Sequence, residues 1–161
     1  MIPIDVIIAN RNNARFLSQC LESVFGQTLQ PKGIIVVDDA STDSSRLVLE
    51  PYARAGKITL IQNEFNLGVA ASRNRAIAQG KSAFLTTLDA DDYYYDSGKL
   101  AAEAAAITVA GERSVAFSDV MRVRESGEDM WLVSSKRQLK EGDLSFHISH
   151  LNGFILGTIL P

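Results

Sequence analysis

"IIVVDDASTD", residues 34–43, decides the fold. Four β-branched apolar residues, Ile34, Ile35, Val36 and Val37, run together without alternation and stop at two acids, Asp38 and Asp39. A strand with one wet face alternates apolar and polar residues. An unbroken apolar run belongs to a strand covered on both faces, as in a parallel sheet. Parallel neighbours need a crossover between them. The next residues supply one: "ASTDSS" offers N-cap side chains, and Gly56 offers a stop, for a helix through about Ala55.

The same reading extends in both directions. Ile2 to Ala9 is a strand that ends at the turn "NRNN", residues 10–13. Phe16, Leu17, Cys20, Leu21, Val24 and Phe25 then lie on one face of a helix. "GQTLQPKG" punctuates before the run at Ile34. Ile58 to Ile61 is a third strand, "NEFNLG" a polar turn, Val69 to Gln79 a helix stopped by Gly80, and Ala83 to Leu88 a fourth strand. Strand and helix alternate throughout. The fold class is therefore α/β, with a mostly parallel central sheet and helices on both faces. Ligands of such sheets bind beyond the carboxyl ends of the strands. Further on, Leu100 to Ala110 is an alanine-rich helix and Val115 to Phe117 a short strand. Met121–Val123 and Trp131–Val133 form a hairpin across "RESGED". There is no repeat, low-complexity tract or linker, so residues 1–161 read as a single domain. The final run, "FILGTILP", is apolar and strand-like, and the expectation is a chain cut at its C-terminus.

Composition narrows the function classes. The net charge of −3 argues against a nucleic-acid binder, which needs a basic face. No run approaches the roughly 18 apolar residues of a membrane span, and the start lacks the features of a signal peptide. A single cysteine, Cys20, excludes a disulfide framework and a thiolate zinc site; it reads as a small buried hydrophobe. The expected location is cytoplasmic, free or at the inner face of the membrane.

Carboxylates gather at two strand ends. "FLTTLDADDYYY", residues 84–95, sets Asp89, Asp91 and Asp92 directly after a buried strand. Like charges that close repel, and a hard divalent cation relieves the repulsion. Mg²⁺ and Mn²⁺ favour oxygen ligands and take one or two protein carboxylates, with phosphates and water completing the shell. A lone Asp-x-Asp also fits a solvated acidic turn. The second pair, Asp38 and Asp39, adds weight, because an Asp at a neighbouring strand end accepts hydrogen bonds from a base or ribose. There is no GxGxxG and no GxxxxGK[ST]. The pattern suggests a nucleotide diphosphate with its metal.

"VIIANRNNARFLSQCLESVFGQT", "IIVVDDASTD", "NEFNLGVAASRNRAI" and "FLTTLDADDYY" together resemble the family 2 glycosyltransferases of GT-A fold. The resemblance is strong over residues 4–95 and weak beyond. It implies a nucleotide-sugar-binding half in 1–95 and the start of an acceptor-side half in 96–161. It also implies transfer of a sugar from a nucleotide-diphosphate sugar to a saccharide or lipid-linked acceptor, with inversion and with Mn²⁺ or Mg²⁺. The family's Pro-x-Tyr-Asn-like turn, whose backbone lines the nucleoside, matches Ala9, Asn10, Arg11 and Asn12; its Pro and Tyr are absent here. Its acid pair matches Asp38 and Asp39, the second of which contacts the base. Its "N-x-G…R-N" matches Asn66, Gly68, Arg73 and Asn74, with Arg73 facing the diphosphate or serving structure. Its Asp-x-Asp matches Asp89, which approaches the ribose, and Asp91, with Asp92 adjacent; one of the last two holds the metal. No acid matches the family's catalytic base, which is expected beyond Pro161.

Three other readings compete. A phosphoacceptor receiver domain wants its acid pair near the chain start and a Lys after the fifth strand. A phosphatase wants its Asp-x-Asp after the first strand. A non-catalytic nucleotide-sugar-binding module fits all the motifs. His147, His150, Trp131 and most of Tyr93 to Tyr95 read as packing or exposed residues.

Overall fold

In a computed structural model, residues 2–110, 116, 121–124 and 129–132 are described. The elements in order are β1 (Ile4–Asn10), α1 (Ala14–Phe25), β2 (Gly33–Asp38), α2 (Ser45–Arg54), β3 (Thr59–Gln62), α3 (Val69–Gln79), β4 (Phe84–Asp89) and α4 (Lys99–Ala110). The four strands form one sheet in the order β3-β2-β1-β4, and all three pairings are parallel. The fold class is as the apolar runs imply.

Both faces of the sheet are covered, which explains the lack of alternation in β1 and β2. Val6, Ile8, Ile34, Val36 and Leu88 pack with Leu17, Leu21 and Val24 of α1, Leu49 of α2 and Leu100 of α4. Ile7, Ile35, Val37 and Leu85 pack on the other side against Ala76 of α3. Successive residues of a strand point to opposite faces, so an apolar run feeds both layers. Each fully buried aliphatic side chain contributes about 1.5–3 kcal/mol. Ile4 and Phe84 extend the core beneath Ala104 and Ile107 of α4.

One buried acid has no counterpart in the motif reading. Asp5, in β1, faces the α3 side near the amino ends of the strands. It accepts hydrogen bonds from the Lys81 amide (2.7 Å), the Ser82 amide (2.9 Å) and the Ser82 hydroxyl (2.7 Å). It therefore ties the loop between α3 and β4 to the central strand. Glycine across the ladder leaves room for it: a Cβ at Gly33 would lie 2.9 Å from Asp5 Oδ1, and the carboxylate would have to shift off its bonds. Burial pushes the Asp5 carboxyl up, but the Ser82 hydroxyl, the two amides and Lys32 more than offset it, and the net shift is downward.

The boundaries differ from the sequence reading in a consistent way. β1, β2 and β4 each run one residue past their apolar stretch, to Asn10, Asp38 and Asp89. Ladder bonds use only backbone, so pairing continues where the side chains turn polar. β3 begins at Thr59 rather than Ile58. The hairpin forms as β5 (Met121–Val123) antiparallel to β6 (Asp129–Leu132), with a register shift between Arg122 and Val123; its second strand begins earlier than Trp131. The strand expected at Val115 to Phe117 (Ala116 apart), the two histidines and the run "FILGTILP" lie outside the described residues. No helix among the described residues is long and apolar enough to cross a membrane.

Candidate functional site

Asn10, Asp38 and Asp89 end three adjacent strands. Asn10 pairs with Asp38 across β1 and β2, and Ala9 pairs with Asp89 across β1 and β4. The two acidic clusters therefore stand on either side of β1. Strands lie about 4.8 Å apart, so two spacings separate the clusters by roughly 10 Å.

Below this rim the loops are fastened together by polar side chains. Asn10 Nδ2 donates to Asp38 Oδ1 (2.7 Å) and to the Ser41 hydroxyl (3.2 Å), and the Ser41 hydroxyl donates to the same Asp38 oxygen. The Asn12 amide donates to Ser41 Oγ, and Asn12 Oδ1 accepts from the Thr42 amide at 2.7 Å. Asp43 bridges two helices: its carboxylate accepts from the Ala14 amide at the start of α1 and from the Ser45 amide at the start of α2. The "STD" of residues 41–43 thus locks the β1–α1 turn onto the β2–α2 turn. Asn12 and Ala40 take left-handed backbone there, with φ of 56° and 53°. Asn adopts that region readily, and Ala does so at a cost.

Asp39 organises the next loop. Its Oδ1 accepts from Asn63 Nδ2 (2.6 Å) and the Leu67 amide (2.8 Å), and its Oδ2 from the Gly68 amide (2.8 Å). Burial raises this carboxyl, but the bonds from Leu67, Asn63, Gly68 and Ser72 more than offset it, and its pKa is lowered. Asn66 Oδ1 accepts from the Gly68 amide at 3.1 Å. Gly68, at φ 86° and ψ 162°, holds backbone that only glycine adopts easily, and α3 starts directly after it.

α3 reaches across to the second cluster. Arg73 pairs with Asp89 Oδ1, and Arg75 donates to Asn63 Oδ1. Asn74 lies two residues beyond buried Ser72, about 200° around the helix. It is exposed and makes no hydrogen bond to the cluster. Asp91 and Asp92 are exposed in the turn after β4, which is closed by the Asp92 amide donating to the Asp89 carbonyl at 3.0 Å. Cys20 lies beneath, its thiol donating to the Asp89 carbonyl at 3.7 Å. Burial first, and then the carboxylates of Asp92, Asp91 and Asp89, push that thiol up to about 12. It is a packing residue, as its place in the helix stripe implied.

Among the described residues no three His, Cys, Asp or Glu side chains form a protein-only metal cage. The donor set still suits a hard cation. Asp91 and Asp92 are oxygen donors open to solvent, and two carboxylates are what Mg²⁺ or Mn²⁺ takes from protein when phosphates complete its shell.

The family model described as "Glycosyl transferase family 2" matches residues 5–155. The chain belongs to that family. Over 90 residues it is 31% identical to a putative glycosyltransferase, EpsH, of Bacillus subtilis, covering 56% of this chain and 26% of EpsH. The S. aureus TarS 1–349 crystal structure in complex with UDP is similar at 30% identity with a TM-score of 0.60, covering 67% of this chain and 32% of that one. The mannosyltransferase PcManGT of Pyrobaculum calidifontis, solved with GDP-Man and Mn²⁺, shares the fold at 24% identity with a TM-score of 0.66, over 75% of this chain and 36% of that one. The family 2 chain therefore has the GT-A fold and spans about a quarter to a third of the length of these proteins.

Asn63, Ser41, Asp43 and Ser72 are the residues that sequence reasoning passed over. Asn63 carried a usable signal: it directly follows the last residue of a parallel strand, where a polar side chain is buried against its neighbours. Asp43 carried one too, inside the capping segment "ASTDSS", although its bond to α1 required the tertiary fold.

Proposed function

We propose that the chain carries the donor-binding half of a glycosyltransferase. The protein moves a sugar from a nucleotide-diphosphate sugar to the hydroxyl of a saccharide or lipid-linked acceptor, with inversion, in polysaccharide or glycoconjugate synthesis. The observation that carries this reading is the register of β2-β1-β4, which sets Asp38–Asp39 and Asp89–Asp92 on one rim at the carboxyl edge of the sheet. A separation of roughly two strand spacings suits the span from a base and ribose to a diphosphate. The UDP bound to TarS, which is 30% identical to this chain over the part it covers, supports the ligand class.

In this reading Ala9, Asn10, Arg11, Asp38 and Asp39 line the nucleoside, and Asp89 approaches the ribose. Arg73 stands at the diphosphate, with its guanidinium held in place by Asp89. Asn66 and Gly68 shape the wall through their backbone. Asp91 and Asp92 would hold a divalent cation. When bound, that cation supplies charge neutralisation for the departing diphosphate. The Arg73 charge adds to the same stabilisation of a leaving anion.

The test is thermal unfolding with UDP, GDP, dTDP and CMP, each with Mn²⁺ and with EDTA. Ligand at a hundred times its dissociation constant stabilises by roughly 2.7 kcal/mol, which is several degrees for a chain of this size. The expected result is a shift with one diphosphate that disappears in EDTA and in Asp91→Ala with Asp92→Ala. If no nucleotide moves the transition, the reading is wrong.

A further inference from the structure

The end of β2 is flanked on its two sides by an exposed ring and an exposed cation, and among the described residues neither side chain has a partner. Strand order places β3 on one side of β2 and β1 on the other. The loop after β3 is pinned to Asp39 through the amides of Leu67 and Gly68, yet it holds Phe65 66% exposed, with no ring or cation against it among the described residues. The turn after β1 is pinned through Asn10 and Asn12, yet Arg11 extends from it exposed, with no hydrogen bond or ion pair among the described residues. Both loops are fixed in backbone and idle in side chain.

Between them lie unused acceptors. Asp38 Oδ1 takes both local donors, which leaves its Oδ2 without a hydrogen bond among the described residues. Asn10 Oδ1 is buried with no hydrogen-bond partner among the described residues. Buried acceptors are normally satisfied, and an orphan marks a place where a donor is missing. The local chemistry is thus an aromatic face, a guanidinium and spare acceptors for N–H groups. A nucleobase complements all three: it has a π-face, a ring carbonyl or ring nitrogen that accepts, and N–H donors beside it.

We propose that the donor's nucleobase is recognised by Phe65 and Arg11 together, with Phe65 stacking on its face and Arg11 engaging its polar edge. The proposal rests on the nucleotide-sugar reading above and adds to it the residues that set base preference. In the resembling family the first turn carries a tyrosine where this chain has Arg11. Here the aromatic stands on the opposite loop, and the first turn supplies charge instead. Arg engages both ring faces and base edges, so this arrangement discriminates between bases as well as binding them.

The experiment is calorimetric binding of UDP, GDP, dTDP and inorganic pyrophosphate, each with Mn²⁺, to the wild-type chain and to Phe65→Ala, Phe65→Tyr, Arg11→Ala and Arg11→Lys. Both positions are exposed, so the variants keep the fold; matched melting curves confirm it. Loss of a stacking partner weakens binding by about tenfold. The expected pattern is that loss for the preferred nucleoside diphosphate in Phe65→Ala, recovery in Phe65→Tyr, and unchanged pyrophosphate affinity in both. Arg11→Ala should narrow the preference among the three bases, with pyrophosphate again unchanged. Nucleotide affinity unaffected by Phe65→Ala, or equal losses for pyrophosphate and nucleotide, overturns the proposal and leaves the nucleotide site standing. A wild-type chain that binds no nucleoside diphosphate removes both.

Discussion

Asp39 is a ligand candidate and a structural anchor at once. Its carboxylate holds the loop before α3 by three bonds from Asn63, Leu67 and Gly68. Asp39→Ala removes all three bonds and strands the Leu67 amide, while the Gly68 amide keeps Asn66 Oδ1 and Asn63 keeps the Ser72 hydroxyl. We expect a loss of about 3 kcal/mol, read as a lower urea midpoint at unchanged slope. An unchanged midpoint would show that the loop does not depend on this carboxylate. Gly68 makes the opposite case, because a Cβ there meets no atom within 4 Å. The obstacle is backbone alone, at φ 86° and ψ 162°. Gly68→Ala is expected to cost about 2 kcal/mol in spite of the open space. A neutral result would mean that the loop relaxes to another conformation without loss.

At the scale of elements, the two turns behind the acid pair act as one part. Asp43 accepts from the first amides of α1 and α2, so a single side chain caps two helices. Burial raises its carboxyl, and the Ser45 and Ala14 bonds bring it below its usual value. Asp43→Ala should cost about 1–2 kcal/mol, and Asp43→Asn less. Equal, negligible effects in both would show that solvent caps these helices as well. Ala40 offers a gain in the same turn. Its φ of 53° is strained for alanine, which has a Cβ and no polar side chain to compensate. Ala40→Gly removes that strain and adds unfolded-state entropy, and the balance is a stabilisation of about 0.5 kcal/mol. A lower melting temperature in Ala40→Gly would contradict this reading of the turn.

For the molecule as a whole, Asp5, Asp39 and Asp43 share a direction. Each is buried or bonded so that its folded pKa lies below its unfolded one. Well above the unfolded value, from about pH 5 upward, all three are ionised in both states, and their contribution to stability is complete. As pH falls through the unfolded value towards the lower folded values, the unfolded chain takes up protons first and that contribution is lost. Urea midpoints should therefore fall between pH 6 and pH 3. Asp5→Asn should lower the midpoint at pH 6 and flatten the decline. A wild-type midpoint independent of pH over that range would refute the assignment.

How much of this was legible in the sequence depends on range. The runs Val6–Ala9 and Ile34–Val37 had no polar face to spare, and only a strand covered on both sides accommodates them. That determined a parallel sheet and put both acid clusters at carboxyl ends. The helix stripe of α1 and the stop at Gly80 are local periodicity and turn chemistry, and they stand where they were expected. Two matters were decided only in three dimensions. Strand order made Asp38 and Asp89 neighbours across β1 although 51 residues separate them. The division of labour among the polar residues was settled there too. Asp5, Asn63 and Asp43 look in sequence like any acid or amide near a turn, and their partners lie 76, 24 and 29 residues away. Hydrogen-bond partners at such separations leave no periodicity in the chain, so packing alone chooses which carboxylate anchors a loop and which remains open to a ligand.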